Sequence, residues 1–262
     1  MAPPNTFKMG PLVNGVFPSK WYVLLVLFNM WISAIPVAIF AYVYIGLLFD
    51  WNPMHVIFMN FILGIINLLG VWARIVSWLL FPFALLVGLY IYAFLGIKVA
   101  KACLAIETWR HPVREGTFPR DFSNPDYYHF HARRVLKKFP VWVLGVVPFP
   151  WMKRSYVYNQ LGATIGKDVG LLDSWTDAEL VTIESGALLG RATVITSHAF
   201  VENMLVLRRT CVKKGAIVGE RVRVLPGATI GEMATIAAKS VIRFGEQVPD
   251  GATFAGNPAE IM

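Results

Sequence analysis

His198 is the side chain in this sequence best suited to move a proton near neutral pH. It is the last of five histidines and follows Thr196 and Ser197 in an otherwise apolar stretch. An imidazole changes its charge between about pH 5 and 8, so it can serve as a general base without help from its surroundings. From composition alone, the alternative is an exposed histidine at a turn.

A catalytic imidazole is normally oriented by a second group on its other ring nitrogen. Two carboxylates are candidates for that role. Glu202 is close to His198 in sequence. Asp173 lies 18 residues before position 191, and 18 residues make one full coil of the repeat described below, so Asp173 is expected one layer away in the preceding coil. Solvated carboxylates at turns are the alternative for both.

Metal binding is not predicted. His129 and His131 form an H-x-H pair that could bind a metal on a strand, but no third ligand is nearby. Cys103 and Cys211 are far apart and offer neither a disulfide framework nor metal-ligand spacing. We also predict no permanently bound cofactor.

The composition is that of a membrane protein. Of 262 residues, 56% are hydrophobic and only 15% are charged, and the mean hydropathy is +0.55. The net charge of +8 comes mainly from basic residues just after the apolar region, as in cytoplasmic flanks that contact anionic lipid. No nucleic-acid motif accompanies these residues, so we predict no nucleic-acid partner.

The apolar N-terminal part predicts membrane spans. Residues 21–48 carry no charge and exceed the roughly 20 residues that a span requires. Residues 54–73 and 75–97 could supply two more, but the junction at Arg74 lacks turn chemistry. Basic residues flank both ends, which favours two spans, with part of residues 54–73 re-entrant or interfacial and both termini cytoplasmic. Three spans remain an alternative.

Residues 107–160 are basic, aromatic and punctuated by proline. Residues 126–138 predict a short helix, and residues 141–147 form an apolar run between Pro140 and Pro148. We expect this segment to lie on the inner leaflet as a surface collar in contact with membrane lipids. A plain linker is the alternative.

The C-terminal part contains a six-residue repeat. The repeat positions are Ile165, Leu171, Asp177 as an exception, Ile183, Leu189, Ile195, Val201, Val212, Val218, Val224, Ile230, Ile236, Ile242, Val248 and Phe254. Small residues often follow these positions, and the register slips once, between Val201 and Val212. Neither a helix nor an ordinary strand has a period of six. Six residues give one short strand and one turn, so three units make a triangular coil and stacked coils bury a continuous core. The fold class predicted is a membrane α-helical anchor followed by a left-handed parallel β-helix of hexapeptide repeats.

Three stretches carry a resemblance to a known family: VPDGATFAGNPA at the end of the chain, IESGALLGRATVITSH up to His198, and FPVWVLGVVPFPWMKR followed by LLDSWTDAELVTI. From about Phe139 onward, the chain resembles the hexapeptide-repeat acyltransferase superfamily. Within it, the stretch before His198 is similar to the maltose and nodulation O-acetyltransferases. The layout is similar to the membrane-anchored type found in the terminal membrane module of ε-poly-lysine synthetase.

The resemblance implies roles for particular residues. His198 occupies the position of the family's catalytic histidine. The donor groove would be lined by Pro226, Gly227, Ala237, Ala238, Arg243, Asn257 and Pro258. Where the family has a basic residue after Pro258-Ala259, this chain has Glu260, so a carrier-bound thioester is an alternative to acyl-CoA as co-substrate. A γ-class carbonic anhydrase shares the fold but requires three zinc-binding histidines, which one histidine in the repeat does not supply.

Together these observations predict three regions: a transmembrane helical anchor (1–106), the collar (107–160) and a β-helical, acyltransferase-like domain (161–262). The predicted function is transfer of an acyl group from a thioester donor to an amine or hydroxyl acceptor at the cytoplasmic face of the cell membrane, by a homotrimer. The alternative is a non-catalytic trimeric scaffold or accessory subunit of a larger membrane complex.

Overall fold

The computed structural model describes residues 19–49, 67–146 and 154–262. Two long helices open the described chain, α1 (Ser19–Phe49) and α2 (Asn67–Arg110). Within them, Ser19–Gly46 and Ile75–Arg110 are, by length and composition, long and apolar enough to cross a membrane.

Part of the predicted span pattern falls on other residues. Residues 1–18 and the turn predicted at residues 50–53 lie outside the described residues. Of the segment predicted to be re-entrant, residues 54–66 also lie outside them, whereas residues 67–73 form the start of α2. The helix continues through position 74, where the sequence offers no turn residues.

The Asn29 side chain joins α1 to α2 within an apolar interface, and Ser33 of α1 contacts Asn29. The Asn29 side-chain amide donates to the carbonyl of Gly96 at 3.0 Å, and the Ser33 hydroxyl donates to the Asn29 carbonyl at 2.7 Å. Both side chains are buried. An interhelical bond such as that between Asn29 and Gly96 holds neighbouring helices together where no water competes for the donor.

Helix α3 (Pro125–Val146) and the short helix α4 (Arg154–Gln160) lie between the long helices and the C-terminal domain. Asn124 caps α3, because its side-chain oxygen accepts the N–H groups of Asp126 at 3.0 Å and Tyr127 at 3.3 Å. The helix was predicted to stop near residue 138, but it runs through Pro140 to Val146. The reason is tertiary: Phe139 and Val143, one on each side of the proline, are buried against α2.

The C-terminal domain is a three-sided prism of short strands. The strands of the chain are β1 Gly116–Pro119, β2 Thr164–Ile165, β3 Gly170–Leu171, β4 Trp175–Thr176, β5 Val181–Ile183, β6 Leu188–Leu189, β7 Val194–Ile195, β8 His198–Val201, β9 Met204–Leu207, β10 Thr210–Val212, β11 Ile217–Val218, β12 Arg223–Val224, β13 Thr229–Ile230, β14 Thr235–Ile236, β15 Val241–Ile242, β16 Gln247–Val248, β17 Thr253–Gly256 and β18 Ala259–Ile261. Three parallel sheets form the faces, with the orders β2-β5-β10-β13-β16, β3-β6-β11-β14-β17 and β4-β7-β12-β15. Successive strands pass from one sheet to the next. Outside the β8–β9 hairpin, every third strand therefore stacks on the one before, which fits the predicted β-helix.

The six-residue period builds the interior of this prism. Ile183, Val212 and Ile230 stack in one sheet, while Leu189 and Val218 stack in another, and all five are at most 1% exposed. The small residues that follow them let the corners stack closely. A Cβ on Gly219 would lie 2.7 Å from the nitrogen of Ala238 in the next coil, so only glycine fits there.

Two repeat positions differ from the predicted register. Thr176, not Asp177, pairs with Ile195 and is buried inside the prism, so Asp177 faces outward. Val201 is 45% exposed, because the coil leaves the prism after β7 as the antiparallel hairpin β8–β9. Strand β1 pairs with β9 and ties the segment before α3 to this hairpin.

Candidate active site

Asp177 and His198 meet at one corner of the prism. Asp177 follows β4, and His198 is the first residue of β8. The Nδ1 atom of His198 lies 2.5 Å from Oδ2 of Asp177, and each side chain is 13% exposed. If Nδ1 donates its proton to the carboxylate, Nε2 is left with a free lone pair, which is the tautomer that a general base requires.

The carboxylate is itself held in place. The backbone N–H of Ser197 donates to Oδ2 of Asp177 at 2.7 Å. The Ser197 hydroxyl donates to the carbonyl of Glu179 at 2.6 Å, which joins the corner to the start of the next coil. A carboxylate fixed by a backbone donor keeps its partner imidazole in one orientation.

Aromatic rings flank the imidazole. The Phe130 ring of α3 lies 5.3 Å from the His198 ring and the Phe200 ring 6.0 Å from it, both measured between centroids. Phe130 is itself buried, with Leu205 and Leu207 of the hairpin. These contacts restrict water on the ring faces of His198 and join α3 to the prism corner.

His198 lines a cavity of about 530 Å³ between α3 and the early coils of the prism. Helix α3 contributes Phe130, Arg134, Lys138 and Trp142 to the lining, among others. That volume lies within the range of small-molecule sites, which combine apolar walls with a few polar groups. The cavity therefore offers room for a substrate beside the imidazole.

A largely buried ion cluster forms part of the cavity wall. Nε of Arg133 lies 2.9 Å from Oε1 of Glu179, and Nζ of Lys137 lies 2.5 Å from the same oxygen. Burial lowers the pKa of Lys137, and the nearby Glu179 carboxylate opposes that shift. The Glu179 charge is thus compensated by two cations of α3.

His131 is a second titratable ring near the site. Its pKa is lowered to about 4, first because burial disfavours the charged form and then because Arg134, Arg120 and His198 repel it. His131 therefore stays neutral at physiological pH. Its ring packs against Tyr127 at 4.5 Å and Phe122 at 5.4 Å between centroids, in an aromatic cluster.

The two carboxylates predicted to orient His198 lie elsewhere. Glu202 is exposed in the turn between β8 and β9, with φ of 52°. Asp173 lies in the turn after β3, also with φ of 52°. The residue beside the imidazole is Asp177 instead. It was visible in the sequence as the exception in the repeat, where a carboxylate interrupts a row of aliphatics.

The residues predicted for the donor groove fall at two different corners. Pro226 and Gly227 follow β12 and Arg243 follows β15, in the coils stacked on the corner that carries His198. Ala237 and Ala238 follow β14, and Asn257 and Pro258 follow Gly256 at the end of β17, on the next corner of the prism. A single chain does not bring these two groups together.

Two details bear on what the groove could bind. A guanidinium nitrogen of Arg243 lies 3.2 Å from Oε1 of Glu260, so this cation is paired with the acidic residue that follows the closing signature. The backbone N–H of Gly227 donates to the Thr210 hydroxyl at 3.2 Å.

The H-x-H pair does not form a metal site. His129 Nδ1 lies 2.8 Å from Glu107 Oε1, whereas His131 packs in the aromatic cluster described above. Residues two apart on a helix face different directions. Within the described ranges, no group of three or more histidine, cysteine, aspartate or glutamate side chains could hold a metal ion.

No model of a protein family matches the sequence, and no curated protein is similar to it. Several solved structures are similar to part of the chain. A hexapeptide transferase family protein from Anaplasma phagocytophilum is 19% identical, with a TM-score of 0.31, over 37% of this chain and 52% of its own. A hexapeptide-repeat acetyltransferase from Vibrio cholerae, solved with acetyl coenzyme A, is 22% identical, with a TM-score of 0.36, over 38% of this chain and 58% of its own.

A galactoside acetyltransferase in complex with coenzyme A is 17% identical, with a TM-score of 0.43, over 50% of this chain and 79% of its own. The matched region thus spans little more than half the length of the Anaplasma and Vibrio proteins.

Proposed function

We propose that this chain is a membrane-anchored acyltransferase built on a left-handed parallel β-helix. It moves an acyl group from a thioester to an amine or hydroxyl acceptor at the cytoplasmic face of the membrane. The observation that carries the proposal is the contact of 2.5 Å between Asp177 and His198 at the wall of a cavity. A histidine oriented by a carboxylate beside a cavity that can hold a substrate is the arrangement that base-assisted acyl transfer requires.

The reaction follows from the two nitrogens of the imidazole. Nε2 of His198 takes the proton of the acceptor as its nitrogen or oxygen attacks the thioester carbonyl. Asp177 stabilises the imidazolium that forms. The tetrahedral intermediate then collapses: the carbon–sulfur bond breaks, and the thiolate receives the proton from His198. The products are the acylated acceptor and a free thiol, and no oxidant or metal is consumed.

The donor site is proposed to form between subunits of a homotrimer. The predicted groove residues occupy two corners of one prism, and cyclic symmetry would bring one corner of a subunit to the other corner of its neighbour. Native mass spectrometry in mild detergent tests this point, and a folded monomer that transfers acyl groups would contradict it.

The Arg243–Glu260 pair favours a carrier-bound thioester over free coenzyme A. A cation that would otherwise meet the phosphates of coenzyme A is already matched by a carboxylate. The same pair also favours the second candidate, a trimeric scaffold in a larger membrane complex that keeps the fold without the chemistry.

The experiment that separates the two candidates is an acyl-transfer assay. Protein in detergent is given acetyl-CoA or an acylated carrier protein, with membrane lipid extract as acceptor, and the released thiol and the acylated lipid are measured. We expect transfer by the wild type and a loss on the order of 10²–10⁴-fold in His198→Ala, which is the usual effect of a positioned base. No transfer by the wild type with either donor would favour the scaffold. Equal transfer by the variant would remove His198 from the mechanism.

A further inference from the structure

The side of α3 that faces His198 carries a row of four side chains, with two cations between two aromatic rings. Phe130, Arg134, Lys138 and Trp142 are spaced four apart, and all four line the cavity. Residues four apart lie above one another on a helix, about 6 Å apart along its axis. The row therefore begins at the ring that contacts His198, passes two cations and ends at an indole.

The two cations in the middle of this row are not matched by carboxylates. Of the acidic residues that line the cavity, Glu179 is neutralised by Arg133 and Lys137, and Asp177 is paired with His198. Among residues 19–49, 67–146 and 154–262, no carboxylate forms an ion pair with Arg134 or Lys138. The cavity wall thus has an excess of positive charge one to two helical turns from the base.

Arg134 is also held in place by an aromatic ring. Its guanidinium lies 5.3 Å from the centroid of the Phe130 ring, which in turn contacts the His198 ring. A guanidinium fixed over a ring face presents its remaining N–H donors in a planar fork that suits phosphate oxygens. The distance between the Arg134 guanidinium and His198 is therefore set by the Phe130 ring, which contacts both.

The far end of the row is apolar. Trp142 is 57% exposed and Trp175, across the cavity, is 40% exposed. This end of α3 packs on α2, where Phe139 and Val143 are buried with Ala93. An acyl or prenyl chain that leaves the cavity past Trp142 would thus reach the apolar helices.

We propose that the cavity binds a phosphate-bearing amphiphile as the acyl acceptor. The phosphate lies between Arg134 and Lys138, the apolar chain passes Trp142, and the amine or hydroxyl nucleophile reaches His198 through a spacer of a few bonds. This inference rests on the proposed function, because it names the acceptor class for that same site. Charge and polarity along one helix face select the ligand, since neither a neutral lipid nor a water-soluble phosphate satisfies both halves of the row.

The test measures binding without acyl transfer. Protein in neutral maltoside micelles is titrated with radiolabelled dodecyl phosphate, with inorganic phosphate and with dodecyltrimethylammonium. We expect saturable binding of dodecyl phosphate alone. Arg134→Gln with Lys138→Gln should weaken this binding by at least about 10-fold, because the variant loses both cations that contact the phosphate. The matched control is Arg191→Gln with Lys239→Gln, which removes the same charge from exposed positions of the prism that do not line the cavity.

Two further variants separate the parts of the proposal. Trp142→Ala should weaken the binding of dodecyl phosphate, because the substitution removes the indole at the apolar end of the row. Binding of inorganic phosphate as tight as that of dodecyl phosphate would show a free-phosphate site and overturn the amphiphile. Unchanged binding by the Arg134/Lys138 variant would overturn the site itself. His198→Ala should retain binding, so a site that binds dodecyl phosphate in a protein that transfers no acyl group would contradict the proposed function alone.

Discussion

Asp177 Oδ2 lies 2.5 Å from His198 Nδ1 because the strand that precedes Asp177 is shifted by one residue within the repeat. Thr176 fills the interior position opposite Ile195, and a shift of one residue in a strand moves a side chain to the other face. The carboxylate is thereby turned out of the core towards the corner where β8 begins. An irregularity in the repeat creates the contact.

The first prediction concerns this pair. Asp177→Asn should reduce acyl transfer by on the order of 10²–10⁴-fold, because an amide neither selects the tautomer nor stabilises the imidazolium. Steady-state kinetics should show the loss in kcat, with the KM for the donor little changed. Asp173→Asn and Glu202→Gln are the matched controls, since each removes one carboxylate charge away from the His198–Asp177 contact. If a control lost as much activity as Asp177→Asn, the orienting role of Asp177 would be wrong.

The period of the β-helix was predictable from the sequence, whereas the partner of His198 was not. Interior positions such as Ile183 and Ile230 require aliphatic side chains in every coil, so the six-residue period can be recognised from residues that are close in sequence. The sequence around Thr176 and Asp177 is compatible with either residue at the repeat position. Only stacking on the next coil, where Thr176 pairs with Ile195, selects Thr176 for the interior.

Local sequence patterns also do not predict where α3 ends or that the cavity exists. Pro140 removes one backbone donor and normally ends a helix. Burial of Phe139 and Val143 against α2 offsets that cost, and this contact is invisible to a local pattern. The cavity depends on the same long-range packing, because its two walls come from α3 and from the early coils of the prism.

The second prediction concerns the ion cluster of Arg133, Lys137 and Glu179 in the cavity wall. Glu179→Gln leaves Arg133, which is 2% exposed, and Lys137 without their shared carboxylate. Removing one partner of a buried ion cluster should lower the free energy of unfolding by about 3 kcal/mol. Urea unfolding followed by tryptophan fluorescence measures the change. Glu220→Gln, at an exposed prism position, should stay within about 0.5 kcal/mol of the wild type. Equal stabilities for the two variants would contradict the cluster's role.

The third prediction concerns orientation in the membrane. A chain with Cys103 and Cys211 replaced by serine and with Glu220→Cys in the prism should react with an impermeant maleimide in inverted membrane vesicles. It should not react in intact cells, because the basic flank before the prism favours the cytoplasmic side. Labelling of intact cells would place the prism outside and contradict a cytoplasmic thioester donor.

The last prediction concerns pH and His131. Its pKa is lowered from 6.5 to about 4 in the folded chain, so between these values the unfolded chain binds more protons than the folded one. The stability associated with a neutral His131 is therefore complete above about pH 6.5 and is lost as the pH falls towards about 4. Solvent reaches part of the ring, so we expect this loss to be about 1–2 kcal/mol rather than the full value of the shift.

His131→Phe and His131→Gln should both flatten the dependence of unfolding free energy on pH between 4 and 6.5. Their absolute stabilities should differ, because phenylalanine keeps the ring contacts with Tyr127 and Phe122 whereas glutamine does not. Urea unfolding at several pH values gives both quantities, and the slope reports the titration independently of packing. A wild-type slope that survives in both variants would assign the acid sensitivity to other groups. It would also mean that burial near Arg134 does not hold His131 neutral.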